Sequence, residues 1–149
     1  MKEFDIIIIG GGLSGSSTAL NLSKKGYSVL IIEKEASGNI KPCAGGMASS
    51  MKKYLPLDID ESIESKIRTV EFRWESSDNV VADLSGESPF WIIRREKLDK
   101  LLLDEAIKYG GEILRPVQVE KITQQNKNWI IKCSNKVTYK SKFLVIADG

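Results

Sequence analysis

Two short apolar runs on either side of a glycine-rich turn constrain the fold of this 149-residue chain most strongly. Residues 4–9 form a continuous run rich in β-branched side chains, and residues 28–33 form a second. Between them, residues 14–25 carry an apolar side and are closed by Gly26, as expected of a helix. Strand, helix and strand in this order predict a βαβ unit and therefore an α/β fold with a parallel sheet.

The later part of the chain alternates strand and helix patterns. Residues 35–66 have irregularly spaced glycines and prolines, which predict a long loop with one short helix over 47–54. The other predicted elements are a hairpin (68–75 and 80–84) around a turn that includes Ser76 and Ser77, a strand (90–93), a helix (96–109), a strand (112–114), a β-meander (117–123, 129–133 and 137–140) and a last strand (143–147).

The glycine-rich turn has the spacing G-x-G-x-x-G at Gly10, Gly12 and Gly15. The first glycine permits a tight turn out of the strand, the second lets a pyrophosphate approach the backbone, and the third lets the helix pack close to the sheet. The N–H groups of the first helical turn, which includes Leu13 and Ser14, would face the anion. The turn therefore predicts a site for a dinucleotide.

Glu33 ends the second predicted strand, at the position where a carboxylate can accept hydrogen bonds from an adenosine ribose. It would repel a 2′-phosphate, so the pattern favours FAD or NAD over NADP and does not separate the first two. The alternative interpretation is a tight turn without a ligand and a solvated Glu33.

Composition excludes several other functions. Lys and Arg (22) nearly balance Asp and Glu (20) and are well mixed with them, so a nucleic-acid partner is not expected. There is no histidine, and Cys43 and Cys133 are far apart, which argues against a metal site and a His-based triad and suits a reducing cytoplasmic setting. The apolar run at residues 6–9 is too short to span a bilayer.

Arg94 and Arg95 precede the helix predicted over 96–109. Positive charge at a helix N-terminus opposes the helix dipole, so this placement invites an anionic partner. The alternative is a pair of solvated arginines balanced by Glu96 and Asp99.

Two segments resemble the flavoprotein class built like p-hydroxybenzoate hydroxylase. Residues 95–102 have the pattern R-x-x-L-D-x-x-L, and the chain ends on an apolar strand followed by Asp148-Gly149. In that class the arginine, here Arg95, reaches FAD, and the aspartate, here Asp148, lies near the flavin. The resemblance also implies FAD contacts at Lys34 and, through the backbone, at Val119.

The segment Lys41-Pro-Cys43-Ala44-Gly-Gly resembles the geranylgeranyl reductase family, although Ala44 replaces the first glycine of the family's motif. The resemblance implies an FAD-dependent oxidoreductase that reduces isoprenoid double bonds, with NAD(P)H as electron donor and Cys43 as a catalytic candidate close to the flavin. Near a flavin, the thiol of Cys43 could have a shielding role, a positioning role or a role as proton donor. The alternative is a loop cysteine without a role. An apolar substrate would bring peripheral membrane contact through the lipid.

The resemblance also implies a domain organisation. Residues 1–149 would form an FAD/NAD(P)-binding domain with a Rossmann-like βαβ unit, a β-meander and extra strands, in which 35–93 begin the substrate side. Family members continue further, so we expect a chain truncated before the substrate domain is complete, which binds the cofactor without turnover and exposes an apolar face. The alternatives are an FAD-dependent monooxygenase or halogenase and a non-catalytic dinucleotide-binding module.

Overall fold

The computed structural model describes residues 1–36, 42–55, 57–75, 78–84 and 89–149. Lys41 of the cysteine segment, the turn residues Ser76 and Ser77, and parts of the predicted loop (37–41 and 56) lie outside the described residues. The chain divides into two compact units, Met1–Ile40 with Asp99–Gly149 and Lys41–Leu98, and each is described by itself.

The elements follow the predicted order with some additions. They are β1 (Lys2–Ile9), α1 (Leu13–Ser23), β2 (Val29–Ile32), β3 (Gly46–Ala48), 3₁₀ helices at Ser49–Tyr54 and Asp60–Ser62, β4 (Ile63–Ile67), β5 (Thr69–Trp74), β6 (Asp78–Asp83), β7 (Phe90–Ile93), α2 (Arg95–Lys108), β8 (Glu112–Leu114), β9 (Val119–Gln125), β10 (Asn128–Cys133) and β11 (Thr138–Ile146).

The first unit is built on a six-stranded sheet in the order β8-β2-β1-β11-β10-β9. Strands β8, β2, β1 and β11 are mutually parallel, whereas β10 and β9 continue the sheet as an antiparallel meander. The predicted α/β class, the βαβ unit and the meander are therefore confirmed. The carboxyl ends of the four parallel strands meet at one edge of the sheet, which is where α/β folds bind their ligands.

Both faces of the central strands are buried. Ile7 and Leu30 belong to an apolar cluster with Ile131 and Cys133 on one face. On the other face Ile8 lies beneath α1, where its Cγ2 atom is close to the backbone of Gly15. Because each strand of a parallel sheet is covered on both sides, the sequence of β2 is a continuous apolar run rather than an alternating one.

A polar network fastens the N-terminal half of β1. The Asp5 carboxylate accepts hydrogen bonds from the Ser28 N–H (3.1 Å) and hydroxyl (2.8 Å), and its other oxygen lies 2.8 Å from Lys142 Nζ. The Lys142 ammonium and the two Ser28 donors lower the pKa of Asp5 to about 2. The network ties β1 to the residue before β2 and to β11.

The second unit contains a three-stranded sheet, β3-β7-β4, and the two-stranded hairpin β5-β6. Trp91 and Ile93 of β7 are buried, whereas Phe72, Trp74 and Val80 of the hairpin are exposed. The hairpin was predicted from its alternating pattern, and its register, with Phe72 opposite Val80, confirms it. No helix in the described part of the chain is long and apolar enough to cross a membrane.

Two expectations about secondary structure are wrong. The predicted irregular loop over 35–66 contains β3 and β4, because both strands pair with β7, more than twenty residues away in sequence, and local patterns carry no trace of that pairing. The two predicted strands over 137–140 and 143–147 are one strand, β11. The polar Ser141 and Lys142 suggested a break, but Ser141 is buried and Lys142 pairs with Asp5.

The network on β1 leads to a prediction about stability. A carboxylate whose pKa is about 2 when folded, against 3.8 ordinarily, stabilises the fold above pH 3.8 and loses this contribution as the pH falls towards 2. We expect Asp5→Asn to unfold at a lower urea concentration than the wild type at pH 7, and the difference to close on acidification. Circular dichroism during urea titrations over this pH range measures it.

Glu3→Gln is the matched control, because Glu3 is also on β1 and lies 2.9 Å from one lysine, Lys140. Exposed single ion pairs of this kind contribute about 0–1 kcal/mol, so this variant should remain near the wild type. A gap between Asp5→Asn and the wild type that stays constant down to pH 2 would contradict the account.

Candidate dinucleotide-binding site

The site begins at the tight turn out of β1. Gly10 has a φ of +100°, and a Cβ atom there would stand 2.3 Å from the carbonyl oxygen of Ala147. The Gly10 N–H donates to the carbonyl of Ile32 (2.8 Å), and the Ala147 N–H donates to the carbonyl of Ile9 (2.8 Å). The turn is therefore packed between the ends of β2 and β11, and only glycine fits at position 10.

The third glycine sets the distance between helix and turn. A Cβ atom on Gly15 would stand 1.9 Å from the carbonyl oxygen of Gly10, so α1 can lie this close only because the side chain is absent. The second glycine is different, because a Cβ atom on Gly12 would meet nothing within 4 Å. Packing within the chain explains Gly10 and Gly15 but leaves Gly12 unexplained, which fits a ligand that approaches its backbone.

The N-terminus of α1 is prepared for an anion. Gly12 is the N-cap residue, no side chain caps the helix, and its first turn contains no acidic residue. Leu13 is half-buried and Ser14 is exposed. The Ser16 hydroxyl donates to the Gly12 carbonyl (2.8 Å), so it does not occupy the helix N–H groups. The uncapped end and its dipole fit a pyrophosphate.

Glu33 follows β2 and connects that strand to the turn. One carboxylate oxygen accepts from the Gly11 N–H (2.6 Å) and the other from the Glu35 N–H (2.8 Å). Each oxygen has a second lone pair, so the carboxylate can still accept from ribose hydroxyls. Lys34 is exposed directly after it. Glu33, the residue predicted to bind the ribose, thus also stabilises the conformation of the glycine-rich turn.

The backbone of Glu33 continues the pairing of β2 with β8 and bonds to the segment that leads into β9. Its N–H donates to the Leu114 carbonyl (3.0 Å), and its carbonyl accepts from the Val117 N–H (2.9 Å). Neither Leu114 nor Val117 was predicted to lie at the site. The only available signal was the position of this segment directly after β8, the strand that pairs with β2.

Val119 begins β9 and stands opposite Cys133 in the ladder with β10. The N–H and carbonyl of Cys133 bond to Val137 and Lys136, away from β9, so this pair is not hydrogen-bonded across the ladder. The carbonyl of Gln118 accepts from the Ser134 N–H (2.9 Å), so the N–H of Val119, on the opposite side of the same trans peptide, points away from β10. This orientation suits the backbone contact predicted for Val119.

Asp148 follows β11 and is exposed. Its Cα atom would stand 3.1 Å from a Cβ atom on Gly10, which places the backbone of Asp148 against the glycine-rich turn. The first unit therefore brings Gly10, Gly12, Leu13, Ser14, Gly15, Glu33 and Asp148 to the carboxyl edge of its parallel strands.

The second unit contains Arg94, Arg95 and Cys43, which are described within that unit. The Arg94 guanidinium lies 2.6 Å from Glu64 and 3.9 Å from Glu96, and the bond to Glu64 raises the pKa of Arg94. Arg95 is half-buried, and its Nη1 donates to the Sγ atom of Cys43 (3.3 Å). Arg95 and Cys43 were each predicted as site residues, but the contact between them was not predicted. Among the described residues, no group of three or more His, Cys, Asp or Glu could hold a metal ion.

Comparison with known proteins decides which dinucleotide the family uses. Residues 5–88, more than half of the chain, match the FAD dependent oxidoreductase (DAO) family. The chain belongs to this family. Membership supports FAD over NAD as the ligand of the site, while the role of each site residue stays a prediction.

Curated relatives align with essentially the whole chain. A protein of Methanosarcina barkeri, Mbar_A1602, is 31% identical over 150 residues, which cover 100% of this chain and 38% of the relative. FixC of Escherichia coli is 29% identical over 156 residues, covering 98% of this chain and 36% of FixC. The chain thus spans little more than a third of the length of these relatives.

Solved structures share the fold. A geranylgeranyl bacteriochlorophyll reductase-like protein of Thermoplasma acidophilum has a TM-score of 0.84 at 22% identity, covering 100% of this chain and 40% of that protein. The p-nitrophenol 4-monooxygenase PnpA of Pseudomonas putida also has a TM-score of 0.84, at 19% identity, covering 100% and 42%. The halogenase PltM has a TM-score of 0.79 at 21% identity, covering 98% and 35%. These similarities establish the fold and do not separate the three activities.

The contrast between Gly12 and Gly15 gives a paired prediction. Gly12→Ala should leave the fold nearly intact, at a cost of at most about 1 kcal/mol for an N-cap change, yet weaken FAD binding by about tenfold or more because the methyl group occupies ligand space. Gly15→Ala should instead lower the free energy of unfolding by about 1–3 kcal/mol through overpacking. Thermal unfolding and FAD titration calorimetry separate the two effects.

Ser14→Ala serves as the control, since it removes an exposed hydroxyl, keeps the backbone N–H that faces the pyrophosphate, and favours the helix. Unchanged FAD affinity in Gly12→Ala would mean that the pyrophosphate does not approach position 12.

Proposed function

We propose that this chain provides the FAD-binding part of an oxidoreductase of geranylgeranyl-reductase type, which reduces isoprenoid double bonds. The observation that carries the cofactor part is the open backbone at Gly12, next to an uncapped helix N-terminus and the Glu33 carboxylate. When bound, FAD supplies the hydride chemistry. The chain's own residues bind and orient it.

Each site residue has a distinct role in this proposal. The N–H groups at the start of α1, from Leu13 and Ser14, hold the pyrophosphate, and Gly12 permits the approach. Glu33 accepts from the ribose hydroxyls with Lys34 beside it, and the outward backbone N–H of Val119 contacts the adenine. Asp148 lies towards the flavin, and Arg95 is the arginine of the R-x-x-L-D pattern.

The substrate class rests on the cysteine segment. Cys43 is exposed in a loop. Gly45 and Gly46, further along the same segment, pack against β7. The likeness of this segment to geranylgeranyl reductases supports an isoprenoid or other apolar substrate. NAD(P)H is the proposed electron donor. Peripheral contact with a membrane would come through the lipid substrate.

A flavin monooxygenase or halogenase is the second candidate. PnpA shares the fold at a TM-score equal to that of the reductase-like protein, 0.84, so the fold gives no preference. The cysteine segment is the feature that favours the reductase. A third candidate is a dinucleotide-binding module without turnover.

The two catalytic candidates differ in their products and in their use of oxygen. With FAD and NAD(P)H supplied, the reductase saturates a geranylgeranyl substrate without oxygen, as mass spectrometry would detect. The monooxygenase or halogenase consumes oxygen in the presence of an aromatic substrate. Saturated product under argon supports the proposal, whereas oxygen-dependent aromatic products contradict it. FAD binding with neither product supports the non-catalytic module.

Selectivity at the ribose gives a prediction about the cofactor. ADP should displace FAD, and ADP carrying a 2′-phosphate should bind about tenfold or more weakly because Glu33 repels the added charge. Glu33→Gln keeps an acceptor for the Gly11 N–H but removes the charge, so the gap between the two ligands should narrow. Competition titrations against FAD fluorescence measure both affinities.

Glu35→Gln is the matched control, because Glu35 contributes its backbone N–H to Glu33 and keeps it in this variant. Equal affinities of the wild type for the two ligands would exclude Glu33 from the ribose site.

A further inference from the structure

We infer that Arg95 is a positioning residue for Cys43, whose sulfur it holds in place as a thiolate. The inference deepens the proposed function, on which it rests for the participation of Cys43 in the reaction. It selects among the roles open to that thiol, because a thiolate stabilised by a cation is a nucleophile or a fixed negative charge and not a resting proton donor.

The geometry around the sulfur carries this inference. Sγ of Cys43 accepts a hydrogen bond from Nη1 of Arg95 (3.3 Å) and a second from the N–H of Gly45 (3.4 Å). Both groups are donors only, so the sulfur acts as acceptor in both bonds. Hydrogen bonds and a cation at a cysteine sulfur favour the ionised form.

The loop is held in position by its glycine. Gly45 has a φ of +75°, and a Cβ atom there would stand 2.1 Å from the carbonyl oxygen of Ile93. Its own carbonyl accepts from the Ile93 N–H (2.8 Å). Because Ile93 ends β7 two residues before Arg95, this contact fixes the spacing between the guanidinium and the thiol.

Among the described residues, Arg95 is a cation in direct contact with the sulfur, with Nη1 at 3.3 Å from Sγ. Arg94 is adjacent in sequence but forms ion pairs with Glu64 and Glu96. The described part of the cysteine loop, residues 42–46, contains no charged side chain. Arg94 therefore pairs with carboxylates, whereas a guanidinium nitrogen of Arg95 donates to the thiol sulfur.

The test measures alkylation of the protein by iodoacetamide as a function of pH, with the labelled cysteine located by mass spectrometry. Cys133 is an internal reference, because it is 1% exposed and burial raises the pKa of its thiol. In the wild type, Cys43 should react readily at pH 7. As the pH rises, its rate should reach a plateau already below about pH 8.5, the ordinary pKa of a cysteine thiol. Arg95→Met should slow labelling at pH 6–7 by about threefold to tenfold, since the larger thiolate fraction is offset in part by lower nucleophilicity.

Arg94→Met is the matched control, because it removes the same charge one residue away and should leave the profile of Cys43 unchanged. Arg95→Lys keeps a cation and should restore part of the rate. If Arg95→Met does not fold, the titration of Cys43 can be measured without that variant. The ultraviolet absorbance of the thiolate is recorded in the wild type, and the absorbance of Cys43→Ser is subtracted from it. The inference would be overturned if the Cys43 thiol titrates in the ordinary range of a cysteine, or if Arg94→Met and Arg95→Met slow its labelling equally.

FAD binding by the same variants separates this inference from the proposed function. A profile that depends on Arg95 in a protein that does not bind FAD would leave the inference intact and remove the proposed function. FAD binding by a protein whose Cys43 profile is unchanged by substitution of Arg95 would leave the proposed function intact and remove the inference.

Discussion

The site depends on a close approach of backbone to backbone that no side chain permits. Gly15 lies so near the carbonyl of Gly10, and Gly10 so near that of Ala147, that helix α1, the turn and the end of β11 are held within one small volume. The hydrogen bond from Gly11 to Glu33 adds the end of β2. Because these contacts exist within the chain itself, the anion-facing end of α1 is organised before a cofactor binds, which lowers the cost of ordering on binding.

Much of the first unit could be predicted from sequence because its signals are local. Buried parallel strands are continuous apolar runs, and the glycine spacing reports contacts within a few residues. The second unit was harder, since β3 and β4 are defined by their pairing with β7, and short exposed strands have little pattern of their own. The same reason hid the contact between Arg95 and Cys43, 52 residues apart in sequence. Each was a candidate by itself, but only tertiary structure joins them.

Family membership and the geometry answer different questions. The family assigns the cofactor class, FAD, while the shared fold accommodates reductases, monooxygenases and halogenases alike. Distinguishing them depends on residues outside the glycine-rich turn, of which Cys43 is the candidate on this chain. The proposed assignment to isoprenoid reduction therefore rests on the cysteine loop, and the cofactor site is common to every alternative that turns over a flavin.

The central claim is that the adenosine diphosphate half of FAD binds at the carboxyl edge of the parallel strands. Nitrogen–proton correlation NMR of the chain, recorded as FAD is added, tests it directly. The account predicts shifts concentrated on the amides of residues 10–15, Glu33 and residues 117–119, with little change in the β5-β6 hairpin. Saturable shifts confined to other regions, with none at the glycine-rich turn, would contradict it.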